Sequence, residues 1–334
     1  MASERPLVLV TQVEYGKARD VFAGASDVRC EPVAASEAEL SAAVKAGDAA
    51  FVIVGVEPYL GDSLYGALPR GGLIARFGVG HDGVDKAKAT RRGILVTNTP
   101  GVLTISVAEH TVWLIGALVR HVARGDAEVR RGTWRPMIGR ELHGKTLALI
   151  GCGAIGRQVA AIAARGFGMT VVGFDRPGLD GDELRRWGIG RFTTSWEEAV
   201  GTADVVSIHL ASTAETRRFI NAERLAAVRQ GAFLVNTARG AVLDELALYD
   251  ALASGRLAGA ALDVFETEPY GPVSDGKDLR TLPNVVLTPH IGSSTVEACT
   301  RMAERCLANV RAAIARKYAE MDVVNPDVLA TLAT

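Results

Sequence analysis

A chain of 334 residues, 48% hydrophobic and 22% charged, falls in the soluble globular class and is long enough to need more than one core. Its 37 basic and 38 acidic residues leave a net charge of -1, which supplies no field for gathering nucleic acid or an anionic membrane. The opening MASERPLVLVTQV lacks the order of a secretory leader, and no uncharged run reaches the roughly 18 residues of a bilayer span, so neither is expected. Cys30, Cys152, Cys299 and Cys306 are scattered, with no CxxC pair or disulfide framework, and a reducing cytoplasm is the expected compartment.

In chain order, PLVLVTQV and AAFVIVG read as strands, and Ser36 followed by EAELSAAVKAG reads as a capped helix. RGILVTNTP is a further strand, closed by proline. From Thr104, apolar residues recur at spacings of three and four through TISVAEHTVWLIGALVRHVARGDAEVRRGTW, which predicts one long helix leading into a second domain. Strand TLALIG, helix AIGRQVAAIAARGFG and strand MTVVGFD come next, then strands ADVVSIHL, GAFLVNTA, LAGAALDVF and NVVLTPH. Helices NAERLAAV and DELALYDALASG separate them, and Leu307–Tyr318 lies in a last long helical segment. Nearly continuous apolar strands alternating with helices predict an α/β fold with parallel sheets covered on both faces.

The sharpest motif is GCGAIG, with Gly151, Gly153 and Gly156 between a strand and a helix. In that setting the first glycine permits a tight turn, the second lets backbone approach a pyrophosphate, and the third lets helix and strand pack closely. The following helix start offers unpaired N–H groups to negative charge. The next strand ends at Asp175, whose carboxylate can accept both ribose hydroxyls and would repel a 2′-phosphate. NAD is therefore expected over NADP, with Arg176 next door softening the preference. The bland alternative is a structural glycine turn beside a solvated aspartate.

Hydride transfer also needs a proton carrier and a fixed cation. His290, in TPHIG at a strand end, is the best placed of six histidines, because imidazole titrates near neutral pH. Glu268 is expected to pair with it and favour its cationic form, and Arg239 in VNTARG to grip a carboxylate through its planar fork. The competing readings are a core histidine and an Arg239–Glu268 structural ion pair. The clustering of these residues at strand ends of a doubly wound sheet favours the chemical roles.

GCGAIG with Asp175, VNTARGAVLDE, GAALDVFETEP and LTPHIGSST together resemble the D-isomer-specific 2-hydroxyacid dehydrogenase family, over nearly the whole chain. The resemblance implies two Rossmann-like domains. One is a flavodoxin-like, discontinuous substrate domain of residues 1–102 and 292–334; the other is an inserted, doubly wound NAD-binding domain of residues 103–291, with the active site in the cleft. It implies Arg239 as the group that binds and polarises the 2-oxoacid, His290 as the acid/base and Glu268 as its partner. It sets the backbone of Ala154, Ile155, Thr237 and Ala238 around the cofactor, Asp175 at its ribose and Asp263 at the nicotinamide amide. Val79 and Gly80, in RFGVGHDG, would offer N–H groups to the substrate carboxylate. Members are usually homodimers, with the helix near 104–124 in the contact, and need no metal. No nucleic-acid or membrane partner is expected.

Substrate choice is less sharply written. The pattern is similar to the phosphoglycerate dehydrogenase and hydroxypyruvate–glyoxylate reductase branch. Gly55 stands where phosphate-recognising members commonly carry arginine, which argues for an unphosphorylated acid such as glyoxylate or hydroxypyruvate. D-3-phosphoglycerate is the nearest alternative, with Arg76 or Arg135 as substitutes for the missing arginine. Val79 replaces the lysine of phosphite-oxidising relatives, and Ala211 replaces a common proline. His81, Tyr59, Glu57 and Trp134 are weaker specificity candidates. No regulatory domain is expected after the last helix. An NAD(H)-sensing, corepressor-like protein with little turnover is the rival from another class.

Overall fold

Short runs of valine, leucine and isoleucine, bounded by glycine and polar residues, form two parallel sheets. The computed structural model describes residues 5–178 and 180–332. They fall into two units, one comprising residues 1–103 with 293–334 and the other residues 104–292.

The first unit has strands β1 (Leu7–Thr11), β2 (Arg29–Val33), β3 (Phe51–Val54), β4 (Leu73–Arg76) and β5 (Leu95–Thr97), in the order β2-β1-β3-β4-β5. This is the flavodoxin-like order, in which the direction of winding reverses between β1 and β3. The helix Glu37–Gly47 starts as expected, with Ser36 accepting from the Glu39 amide. The helix Val296–Ile314 returns to this unit, packing on β4 through a face that buries Met302, Cys306 and Val310.

The second unit has β6 (Thr146–Ile150), β7 (Thr170–Phe174), β8 (Ile189–Thr193), β9 (Val205–Ile208), β10 (Ala232–Asn236), β11 (Leu257–Leu262) and β12 (Val285–Leu287). The order is β12-β11-β10-β9-β6-β7-β8, a doubly wound sheet whose switch point lies between β6 and β9. Alternation along β6 sends Ala148 and Ile150 into one core and Leu147 and Leu149 into another, so helices cover both faces. The carboxyl ends of β6, β9, β10, β11 and β12 lead into the glycine turn, His209, Arg239, Asp263 and His290 respectively.

The α/β class and both parallel sheets agree with the sequence reading. Three strands went unread: β2, an exposed edge strand containing Pro32, and the short β4 and β8, which end in or contain arginine. The single long helix expected from Thr104 is two helices, Thr104–Val119 and Val122–Arg130, broken at His121 in the left-handed region (φ 56). The first buries a continuous apolar stripe, whereas the second buries no residue, so no core holds the two in one line. Among the described residues no helix is long and apolar enough to cross a membrane.

Candidate active site

The glycine turn is built by contacts that exclude side chains. Gly151 has φ 103, and a Cβ there would stand 2.7 Å from the His209 carbonyl oxygen at the end of β9. A Cβ on Gly156 would stand 2.2 Å from the Gly151 carbonyl oxygen, which fixes how closely the helix Ala154–Phe167 approaches its strand. At Gly153 nothing lies within 4 Å, so the turn is open where a pyrophosphate would lie. Gly153 is also the N-cap and makes no side-chain cap, leaving the positive helix end to an anion. The turn therefore fits the diphosphate of a dinucleotide.

Asp175 is anchored beside this turn, accepting from the Cys152 amide through Oδ2 and from the Arg176 amide through Oδ1, both at 2.7 Å. Burial pushes the Cys152 thiol up to about 12, which makes it packing and not a nucleophile. His209, bonded to Ser207 Oγ at 2.8 Å, is pushed down to about 3 by burial and stays neutral under the turn. Thr237 is buried with its hydroxyl 2.7 Å from that of Thr111.

Arg239 follows β10. Asn236 shapes its turn, accepting from the Ala238 amide and donating to the Arg239 carbonyl, each at 3.0 Å. Arg239 itself is extended, and its Nη1 donates to the Ala238 carbonyl at 2.7 Å. The small residue after it is required by close approach: a Cβ on Gly240 would fall 1.8 Å from the Phe265 carbonyl carbon and 2.4 Å from the Glu266 nitrogen. That contact holds the arginine turn against the segment that carries Glu268.

Glu268 uses both oxygens. Oε1 accepts from the Phe265 amide at 3.0 Å, and Oε2 meets His290 Nδ1 at 2.7 Å. An ionised carboxylate only accepts, so Nδ1 carries the hydrogen of this contact and Nε2 takes no part in it. His290 is held in the left-handed region (φ 53) by its amide, which donates to the Asp263 carbonyl at 2.8 Å.

Asp263 organises this last turn. Its buried carboxylate accepts from Thr288 Oγ1 (2.6 Å) and the Ile291 amide (2.9 Å) through Oδ1, and from the Gly292 amide (2.8 Å) through Oδ2. His110 Nε2 stands 3.3 Å from Oδ1. Burial alone would raise this carboxyl, but His110, Thr288 and the Ile291 amide together hold it below the usual carboxylate range. Sequence reasoning gave no role to Asn236, His110 or Thr288. The last two carried a weak signal, a polar run at Glu109–Thr111 in the middle of a largely apolar helix and a threonine two places before His290.

Val79 and Gly80 belong to the other unit, in the loop after β4. Asn98 Nδ2 donates to the Val79 carbonyl at 2.8 Å, and the Thr99 amide to the Gly78 carbonyl at 3.0 Å. The N–H groups of Val79 and Gly80 make no hydrogen bond among the described residues. Tyr59 is core, fully buried with its hydroxyl on the Ala35 carbonyl, and so has no surface to offer a substrate.

A glycine turn that fits a dinucleotide and a carboxylate–imidazole pair at neighbouring strand ends together define a dehydrogenase of the Rossmann class. Residues 112–292 match the family model for the D-isomer specific 2-hydroxyacid dehydrogenase, NAD binding domain. The chain is 42% identical over 272 residues to a glyoxylate reductase of Pyrococcus furiosus, covering 78% of each protein. It is 44% identical over 228 residues to a D-3-phosphoglycerate dehydrogenase of Bacillus subtilis, covering 68% of this chain and 42% of that longer protein. Among solved structures, an NADPH-dependent glyoxylate/hydroxypyruvate reductase of Sinorhizobium meliloti shares 31% identity at a TM-score of 0.78, with 92% of this chain and 94% of that one covered. The chain belongs to the D-isomer-specific 2-hydroxyacid dehydrogenase family, and it is an NAD(P)-dependent oxidoreductase.

Replacing Gly240 with alanine forces the arginine turn away from Phe265–Glu266. Overpacking against backbone costs about 1–3 kcal/mol, and a displacement of about 1 Å at a catalytic group costs on the order of a hundredfold in rate. Denaturation midpoints and turnover of Gly240→Ala should both fall, and a variant with wild-type turnover would contradict the packing account.

Proposed function

We propose that the chain reduces a small, unphosphorylated 2-oxoacid of the glyoxylate or hydroxypyruvate kind to its D-2-hydroxyacid, with NADH preferred to NADPH. The observation that carries this is the 2.7 Å contact of Glu268 with His290 Nδ1, which keeps one hydrogen on Nδ1 and leaves the imidazolium to give its Nε2 proton to the developing alkoxide, becoming the neutral ring. When bound, nicotinamide supplies the hydride. The guanidinium of Arg239 takes the substrate carboxylate and draws charge from the adjacent carbonyl. Val79 and Gly80, in the loop after β4, are proposed to offer N–H groups to the substrate. This assigns the cofactor, with Arg239 and His290, to the unit containing β6–β12, and further substrate contacts to the unit containing β1–β5. Asp263 Oδ2, with one internal donor, retains a lone pair for the nicotinamide carboxamide.

The unphosphorylated substrate is supported by the switch point of the first unit. A Cβ on Gly55 would lie 2.5 Å from the Glu14 carboxylate, so a buried acid occupies the space of the arginine that phosphate recognition would use. Arg76 is no replacement, since it is buried and its Nη1 donates to the Val54 and Phe77 carbonyls. Three of the relatives at 40–42% identity are themselves glyoxylate reductases. A homodimer is supported by large apolar side chains exposed along the helix Thr104–Val119 and the segment after it: Ile105, Trp113, Trp134 and Ile138. Four free cysteines suit a reducing compartment, and we assign the protein to the cytoplasm.

A panel of 2-oxoacids with NADH tests the reading, with His290→Ala as the diagnostic variant. Turnover of glyoxylate or hydroxypyruvate should exceed that of phosphohydroxypyruvate, and His290→Ala should lose on the order of 10²–10⁴ in kcat while binding NADH. No reduction of any acid by a protein that binds NADH would reject it. For the cofactor, Asp175→Ala should move the NADH/NADPH ratio of kcat/KM towards NADPH by about tenfold, the loss of one charge-assisted contact; an unchanged ratio would remove Asp175 from cofactor choice.

A further inference from the structure

Behind the Glu268–His290 pair lies a second carboxylate pair that the chemistry above does not use. Glu245 opens the helix Glu245–Ala253 and is buried. Its Oε1 accepts from the Glu266 amide at 2.6 Å, and Glu266 Oε1 accepts in return from the Glu245 amide at 3.2 Å. The two residues thus bind each other's backbone. Arg218 Nη2 holds the remaining Glu266 oxygen at 2.8 Å.

The position of this clasp gives it a consequence. Glu266 lies between Phe265, whose amide binds Glu268 Oε1, and Glu268 itself. Its nitrogen is also, after the Phe265 carbonyl, among the atoms against which the Gly240 turn is pressed. Moving the Glu266 backbone therefore moves both the turn of Arg239 and the carboxylate that orients His290. We propose that Glu245 is a positioning residue for the reaction, which sets Glu268 against His290 by holding the Glu266 backbone. This inference rests on the functional reading above.

The charged and titratable groups facing Glu245 are Glu266 and Glu268 from the segment after β11, Arg218 from the loop after β9, and Tyr270; Asp244 adjoins it. Burial, joined by the negative charges of Glu266 and Glu268, pushes the Glu245 carboxyl up to about 7 against its ordinary 4.5. Across that interval the folded chain keeps a proton that the unfolded chain has lost. The contribution to stability is full below about 4.5 and is lost as pH rises through about 7. Losing that proton adds a negative charge beside Glu266 and Glu268, so the clasp is expected to respond to pH across this interval.

Two variants separate positioning from simple support. Glu245→Ala removes the acceptor, whereas Glu245→Gln keeps an oxygen for the Glu266 amide and removes the titration. Hydrogen exchange of the Glu266 amide reports the clasp without turnover, and kcat and KM across about pH 6–8 report its effect. In Glu245→Ala the amide should exchange faster, and kcat should fall by about tenfold or more with KM for NADH changed less than about twofold. Glu245→Gln should recover kcat to within about threefold at the acid end, with a pH profile displaced from that of the wild type. Fast exchange at Glu266 with wild-type kcat would overturn the proposal, as would equal losses in both variants. Should Glu245→Ala not fold, Glu245→Gln decides alone, and a profile coincident with the wild type overturns it. Wild-type protein inactive on every 2-oxoacid would instead defeat the functional reading, a separate outcome.

Discussion

The Glu268–His290 contact is short, specific in its atoms, and made between the ends of two different strands. A carboxylate on Nδ1 settles where the ring carries its hydrogen and which nitrogen stays outside the pair. Neither side chain could hold that geometry alone. Glu268 is fixed by the Phe265 amide, and His290 is held in a left-handed turn by the Asp263 carbonyl. The surrounding bonds of Asn236, Asp263, Thr288 and Gly240 serve the same end, confining three short loops to one arrangement.

The sheet makes this possible. In a doubly wound parallel sheet every strand delivers its following loop to the same edge, so residues far apart in sequence share one rim without long connections. The second unit uses that edge twice. Near the β6–β9 switch point it presents a glycine turn whose tightness comes from the His209 and Gly151 carbonyls, and at β10–β12 it presents the arginine, the aspartate and the histidine. The glycine turn and the Glu268–His290 pair thus share one edge by construction.

Much of this is legible in the amino-acid sequence. GCGAIG, read with its flanking strand and helix, located the turn, and the apolar runs located most strands because burial on both faces leaves little choice of residue. The pairing of Glu268 with His290 was legible because a strand-end imidazole has few chemical uses and a nearby carboxylate suits it. β2 and β4 were lost for the opposite reason: an edge strand needs no apolar run, and four residues ending in Arg76 carry almost no periodicity. The break at His121 was hidden because helical spacing continued after the buried stripe had ended. The supporting bonds of Asn236, His110 and Glu245 depend on loop shapes that no local pattern encodes. The bond from Glu245 to the Glu266 amide joins residues 21 apart.

Nitrogen NMR of the protein labelled in its histidines, with the His290 signals assigned by their loss in His290→Ala, tests the central claim most directly. The account predicts that the neutral ring carries its hydrogen on Nδ1 and leaves Nε2 bare, and that Glu268→Ala abolishes that preference. A His290 ring with its hydrogen on Nε2, or one indifferent to the removal of Glu268, would contradict it.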